Sequence, residues 1–276
     1  MKVSNIIPYF KEELNSIADA REITAWACLV IQYLLGLNRS DTIVYSNKVI
    51  SIKNSDCIKR IINELKENKP IQYILGETEF YGLKFKVNKH TLIPRPETEE
   101  LVDWILKEDF NSVLDIGTGS GCIAISLAKH STAQIAAIDN CEKALEVAKE
   151  NAKLNKVNIK FCTQDILQST SLLNLDLIVS NPPYILESEK QNMKANVLQY
   201  EPHLALFTPD KDPLLFYKKI GGLAAKSLNC GGKLFFEINE QYGAEILKML
   251  SKIGFVDIAF KKDINDKDRM IKAIWK

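Results

Sequence analysis

The chain has 276 residues and is 46% hydrophobic, enough to bury a substantial core; at roughly 100–200 residues per domain it suggests two domains. Net charge is +1, and residues 1–88 hold 12 Lys and Arg against 10 Asp and Glu, so neither part has the cationic excess expected of a protein that grips DNA or RNA by counterion release. Six cysteines (Cys28, Cys57, Cys122, Cys141, Cys162, Cys230) without a C-x-x-C pair, and three isolated histidines (His90, His130, His203), read as reduced, buried thiols of a cytoplasmic protein and as no metal site.

Residues 5–17 and 21–37 have helical character, and the second stretch sets Ile23, Trp26, Val30, Leu34 and Leu37 on one face at three- and four-residue steps. The apolar run 23–37 is fifteen residues long, contains Gln32 and is flanked by charge, whereas a membrane span needs about 20 mostly apolar residues. Lys2, Asn5, Pro8 and the acidic residues after them do not form a signal peptide. A further helix is expected from about residue 55 to 66, giving a small helical domain over residues 1–75.

Over residues 79–93 the period changes to two: Tyr81, Leu83, Phe85 and Val87 alternate with polar residues, as in a half-buried strand or hairpin, and residues 76–93 read as a β-hairpin linker. Pro94-Arg95-Pro96-Glu97-Thr98-Glu99 then reads as a proline turn before a helix opened by Thr98 or Glu97 and bearing Leu101, Val102 and Ile105.

An apolar strand, Val113-Leu114-Asp115-Ile116, runs into Gly117-Thr118-Gly119-Ser120-Gly121, and residues 122–129 follow as a helix. Such a turn lets the backbone approach a nucleotide-type ligand, and the helix N-terminus favours an anionic group. The spacing is G-x-G-x-G, with Cys122 where the dinucleotide pattern has its third glycine, and no P-loop lysine follows. The next strand, from Gln134, ends in Asp139, where a carboxylate can accept both hydroxyls of a ribose or cap the helix beginning near Cys141.

A helix over 142–154, a strand over 158–162 and then Asp165-Ile166 continue the alternation of strand and helix. This predicts an α/β fold with a mainly parallel sheet over residues 94–276, ligands lying beyond the carboxyl ends of its strands. Asp165 is either a ligand residue or a turn residue. The apolar run Leu175-Asp176-Leu177-Ile178-Val179 ends in Ser180-Asn181-Pro182-Pro183-Tyr184. Two prolines stiffen the backbone there, and Pro182 has no N–H. An amide oxygen, a free carbonyl and an aromatic face suit a planar substrate NH2; the same residues also read as an Asn-Pro turn with Tyr184 as packing. Residues 187–209 read as a long connection, 213–228 as a helix ending at Gly231-Gly232, 233–238 as a strand, 242–251 as a helix, and 256–260 with 270–275 as an antiparallel closing pair.

The order D-I-G-T-G-S-G, I-D-N and S-N-P-P-Y-I resembles S-adenosylmethionine-dependent methyltransferases acting on planar amide or exocyclic nitrogens. With Ile93-Pro94-Arg95-Pro96-Glu97-Thr98-Glu99 and Glu79-Phe80-Tyr81-Gly82-Leu83, essentially the whole chain resembles the peptide chain release factor glutamine N5-methyltransferase family. The resemblance implies a Rossmann-like class I methyltransferase sheet with a C-terminal antiparallel strand, S-adenosylmethionine as cofactor, and transfer to N5 of the glutamine in the Gly-Gly-Gln motif of release factors. It implies a cofactor site at Gly117, Thr118, Gly119, Ser120, Gly121, Asp139 and Asn181, with Asp165 and the Ile166 backbone on adenine. Asn181, Pro182, Pro183 and Tyr184 bind substrate, with catalysis at Asn181, Pro182 and Tyr184 and no metal; Arg95, Glu97 and Thr98 lie beside the cofactor. The helical domain docks a protein substrate, the enzyme is expected to be a cytoplasmic monomer, and neither direct nucleic-acid binding nor a membrane is expected. Asn239 and the turn Phe207-Thr208-Pro209 depart from the family pattern, which bears on fine specificity. Two rival readings are a methyltransferase acting on an exocyclic amine of a DNA or RNA base and a non-enzymatic fold relative that binds a partner in the cleft.

Overall fold

Side-chain caps set where the N-terminal helices begin. In the computed structural model, which describes residues 1–276, a 3-10 turn at Val3–Asn5 leads into α1 (Ile6–Leu14). Asp19 then accepts from the N–H groups of Arg21 and Glu22 and opens α2 (Ala20–Leu35), which Gly36 ends in the left-handed region. Asn38 and Asp41 form a capping box on α3 (Arg39–Val44), and Ser51 caps α4 (Ile52–Lys66), which starts before the expected residue 55 because Ser51 Oγ accepts from Asn54 N. α5 (Ile71–Leu75) completes the set. Ile6, Phe10, Leu14, Ala27, Val30, Ile58 and Ile61 make its core, each at most 1% exposed. Helices α3 and α5, with six and five residues, are too short to show a periodicity in sequence. None of the helices is long and apolar enough to cross a membrane.

The chain separates into two compact units, Met1–Gly76 with Lys194–Tyr200 and Glu77–Met193 with Glu201–Lys276. The second opens with the hairpin β1 (Glu77–Phe80) and β2 (Leu83–Lys86). Its two-residue turn has φ of 50° at Tyr81 and 69° at Gly82, the primed geometry that matches strand twist. The hairpin belongs to this unit. α6 (Pro96–Ile105), with proline in its first turn, has no side-chain cap; Thr98 is buried inside it.

Then follow β3 (Ser112–Ile116), α7 (Cys122–His130), β4 (Gln134–Asp139), α8 (Glu142–Asn155), β5 (Lys160–Thr163) and β6 (Leu175–Ser180). On α8, Asn151 exchanges hydrogen bonds with Lys86 and donates to Ser120 O, while Asn155 donates to Lys84 O. Two buried amides thus satisfy the hairpin edge and tie it to the glycine turn.

The expected connection after Tyr184 is more ordered than its sequence suggests. β7 (Ile185–Leu186) pairs in parallel with β8 (Phe207–Thr208), and α9 (Ala195–Tyr200) and α10 (His203–Leu206) lie between them in sequence. α11 (Leu215–Ser227), β9 (Leu228–Glu237), α12 (Gly243–Ile253), β10 (Val256–Lys262) and β11 (Asp268–Ile274) complete the chain. β9 begins at Leu228, before the glycines expected to precede it. Its register against β6 jumps from Leu175–Leu228 to Leu177–Lys233, so Asn229–Gly232 form an irregularity inside the strand.

The seven-stranded sheet has the order β10-β11-β9-β6-β3-β4-β5, parallel from β9 to β5 and antiparallel at β11 and β10. Strand residues alternate between two cores: Val113, Leu177, Val179 and Phe235 pack under α6 and α7, and Leu114, Ile116, Ile178, Leu234 and Phe236 under α11 and α12. The chain runs outward from β3 through β4 to β5 and returns to β6 on the other side of β3, which makes the β3–β6 boundary a switch in strand order. Ile116 is level with both Ile138 and Ser180, and Ser180 with Phe236. Gly117, Asp139, Asn181 and Glu237 therefore emerge side by side at the same rim.

Candidate active site

A cavity of about 350 Å³ opens at that rim. Gly117, Thr118, Gly119 and Ser120 line one side, Asp139, Asp165 and Ile166 another, and Asn181, Pro182 and Pro183 a third. The glycine turn is held from below: the N–H groups of Gly117 and Thr118 both donate to Ile138 O, and Thr118 Oγ1 donates to the buried Asp115 at 2.6 Å. Gly119 has φ of 55°, and a Cβ there would meet nothing within 4 Å, so its backbone leaves room for a ligand. Gly121 does not line the cavity. Its φ is 82°, and a Cβ would lie 2.9 Å from Ile125 Cδ1 and 3.2 Å from Ala148 Cβ, so it sets helix packing.

Asp139 ties two loops together. One oxygen accepts from Gly119 N at 2.8 Å and the other from Cys141 N at 2.9 Å, each keeping a lone pair for a ligand hydroxyl. Burial raises its pKa despite these donors. Asp165 accepts from Leu167 N at 2.8 Å, so it shapes its turn and lines the cavity at once.

Charge on the walls points to a cationic ligand. Asp139 and Asp165 are its acidic groups, and burial, with Lys143 and Lys89 nearby, lowers the pKa of His90 and so disfavours a positive charge on that ring. Arg95 lines the cavity but donates at 2.6 Å to Glu201, a carboxylate that also accepts from Ile93 N. Cys122 is a neutral thiol, because burial pushes its pKa up to about 12. An acidic cradle with an open glycine backbone fits the nucleoside sulfonium that the sequence resemblance implies better than a phosphate ester.

At the end of β6, Asn181 Nδ2 faces Thr98 Oγ1 at 3.5 Å. Asn181 and Pro182 both line the cavity, and neither Asn181 Oδ1 nor the Pro182 carbonyl accepts a hydrogen bond from the protein, which leaves both acceptors unused. Tyr184 stands differently from its expected place on the substrate. It is absent from the wall; its hydroxyl donates to Glu237 at 3.1 Å, and its ring packs on the core under α11. Thr98 and Arg95 join the wall, and Glu97 does not. Glu237 was missed in the sequence, although an acid closing the apolar run Leu234-Phe235-Phe236 is itself a signal. It is 1% exposed, accepts from Thr98 Oγ1 at 2.6 Å, and has its pKa raised by burial. The cysteines correct another expectation: Cys28, Cys57, Cys122 and Cys141 are partly buried, while Cys162 is exposed on the edge strand β5 and Cys230 in the exposed irregularity Asn229–Gly232 of β9.

Known proteins bear on this site. The methyltransferase small domain matches residues 96–202, and the PrmC N-terminal domain matches residues 9–76. The release factor glutamine methyltransferase of Flavobacterium psychrophilum is 48% identical, covering 99% of this chain and 99% of its own length. That of Bacteroides thetaiotaomicron is 43% identical, over 98% of this chain and 99% of its own. Among solved structures, a methyltransferase from Pyrococcus furiosus superimposes with a TM-score of 0.54 at 18% identity, covering 80% of this chain and 98% of its own.

Proposed function

The chain belongs to the release factor glutamine methyltransferase family, and on that premise we propose that it methylates the side-chain amide nitrogen, N5, of the Gly-Gly-Gln glutamine of peptide chain release factors. The observation that carries this reading is the pair of unused acceptors, Asn181 Oδ1 and Pro182 O, beside the glycine turn. S-adenosylmethionine is the cofactor and supplies an electrophilic methyl group on a sulfonium. Asp139 takes the ribose hydroxyls, Asp165 and the Ile166 backbone take the adenine, and Gly117 and Gly119 let the main chain approach.

An amide nitrogen is a poor nucleophile because its lone pair is delocalised into the carbonyl. Asn181 Oδ1 and Pro182 O take the two hydrogens of the NH2 and stabilise the positive charge that grows on nitrogen as it becomes tetrahedral. As the N–CH3 bond forms the S–CH3 bond breaks, leaving S-adenosylhomocysteine, and the methylated nitrogen then loses one of its two protons to water to give the neutral N-methyl amide. Tyr184 acts one step back, by holding Glu237 and the turn after Pro183, and the covering role expected of its ring is not needed. The base-methylating alternative is not favoured by the family.

Mass spectrometry of a release factor after incubation with enzyme and S-adenosylmethionine tests the reading, with one added methyl on the Gly-Gly-Gln glutamine as the expected result. Methyl incorporation into nucleic acid alone would overturn it. Asp139→Ala is expected to weaken binding of S-adenosylhomocysteine by about tenfold to a hundredfold, the equivalent of losing charged hydrogen bonds of about 1.5–3 kcal/mol. Unchanged affinity by calorimetry would remove Asp139 from the ribose site.

A further inference from the structure

A side-chain carboxamide has one end that accepts and one that donates, and its terminal torsion is broad and roughly two-fold, so it has little preference of its own for which end faces a ligand. At Asn181 the choice matters. With Oδ1 toward the cavity the substrate NH2 meets an acceptor; with Nδ2 there, two donors face each other.

The deciding group lies on the neighbouring strand. Ser180 is level with Phe236, so Asn181 and Glu237 leave β6 and β9 together. Glu237 Oε1 accepts from Tyr184 Oη at 3.1 Å and Oε2 from Thr98 Oγ1 at 2.6 Å. Thr98 has a single hydroxyl proton, and it is committed to the carboxylate. Toward Asn181, 3.5 Å away, Thr98 Oγ1 can therefore only accept. Nδ2 is the end that satisfies it, and Oδ1 is left for the cavity.

We propose that Glu237, acting through the Thr98 hydroxyl, fixes the end-for-end orientation of the Asn181 carboxamide so that an oxygen meets the substrate NH2. The inference rests on the assignment of Asn181 to the substrate amide and adds two positioning residues to it. Thr98 is 2% exposed and Glu237 1%, so water does not compete freely for either bond. If the carboxylate is removed, the threonine proton is released to donate toward Asn181 Oδ1, and the amide turns over.

Single-turnover methyl transfer to a release factor, S-adenosylhomocysteine affinity by calorimetry and a thermal melt, each on the full chain, test the relay. Thr98→Val keeps the shape and deletes the hydroxyl; it should slow transfer by about 100-fold, the loss typical of one preorganised polar contact, with cofactor-product affinity and the KM for the release factor changed by less than about threefold. Thr98→Ser restores the hydroxyl and should transfer within about threefold of wild type. Glu237→Met keeps the hydroxyl without its acceptor and should slow transfer as the valine variant does. Combining Thr98→Val with Asn181→Ala should add little to the loss from Asn181→Ala alone, because the two act as one unit.

A wild-type rate in Thr98→Val or Glu237→Met, alongside an Asn181→Ala slowed by about 100-fold or more, overturns the relay and leaves the Asn181 assignment standing. Equal losses in the valine and serine variants, or losses that track cofactor-product affinity, overturn it as well by making Thr98 a packing residue. Normal transfer by Asn181→Ala is a different failure, that of the substrate site itself.

Discussion

Asn181→Ala is expected to lower turnover by about 10²–10³-fold, or about 2.7–4 kcal/mol, with S-adenosylhomocysteine affinity close to wild type. The size follows from what is lost. Asn181 Oδ1 is a wall acceptor with no protein partner, and its contribution grows as charge develops on the amide nitrogen. A contact that strengthens toward the transition state affects kcat more than KM. The Pro182 carbonyl remains, so transfer should slow without vanishing. Asp139 and the glycine turn make no hydrogen bond to Asn181, so the cofactor end of the cavity has no reason to change. Single-turnover transfer of a labelled methyl group measures the loss directly. A variant turning over at more than about a third of the wild-type rate would remove Asn181 from the mechanism, since the mildest expected effect is about 100-fold.

The sequence is most legible where an apolar run meets a residue that cannot continue it. Gly117 after Ile116, Asp139 after Ile138 and Asn181 before two prolines each mark the carboxyl end of a parallel strand, and parallel sheets gather their ligands there. Their mutual alignment, with Ile116 level with Ile138 and Ser180, needed the strand order as well. Contacts between residues distant in sequence are what a linear reading loses. Thr98 and Glu237 are 139 positions apart, so Thr98 read as a helix opener and Glu237 as a strand residue, although they share a 2.6 Å hydrogen bond. Tyr184 carries the same lesson. Its place after Pro183 suggested an aromatic face on the substrate amide, but the chain enters a separate short strand, Ile185–Leu186 against Phe207–Thr208, and the ring packs on the core. The start of β9 was misread because Gly231 and Gly232 look like a turn, and only the pairing of Leu228 with Leu175 reveals an irregularity within a strand.

Asp115→Asn should change the pH dependence of stability more than any other single substitution near the glycine turn. Asp115 is fully buried in β3; one oxygen accepts from Thr118 Oγ1 at 2.6 Å and from Ala124 N at 3.3 Å, and the other has no partner. Burial, aided by the charge of Asp139, pushes its pKa up to about 7 from an ordinary 3.8. Between those values the unfolded chain has released the proton and the folded protein keeps it. The folded state thus binds more protons, and stability falls as pH rises through this window by about 1.36 kcal/mol per unit, roughly 4 kcal/mol in all, then levels off above pH 7. Asparagine keeps an acceptor for Thr118 and Ala124 and never ionises, but it places an NH2 where the unpartnered oxygen lies, at about 1–3 kcal/mol. At pH 4.5 the variant should therefore be no more stable than wild type, and by pH 8 it should have gained about 3 kcal/mol relative to it. Asp139 and Glu237, also raised by burial, remain in both proteins, so most of their contribution cancels in the difference. Urea unfolding of both proteins at pH 4.5, 6 and 8 measures that difference, and a gap that does not widen with pH would show that Asp115 is already ionised inside the fold.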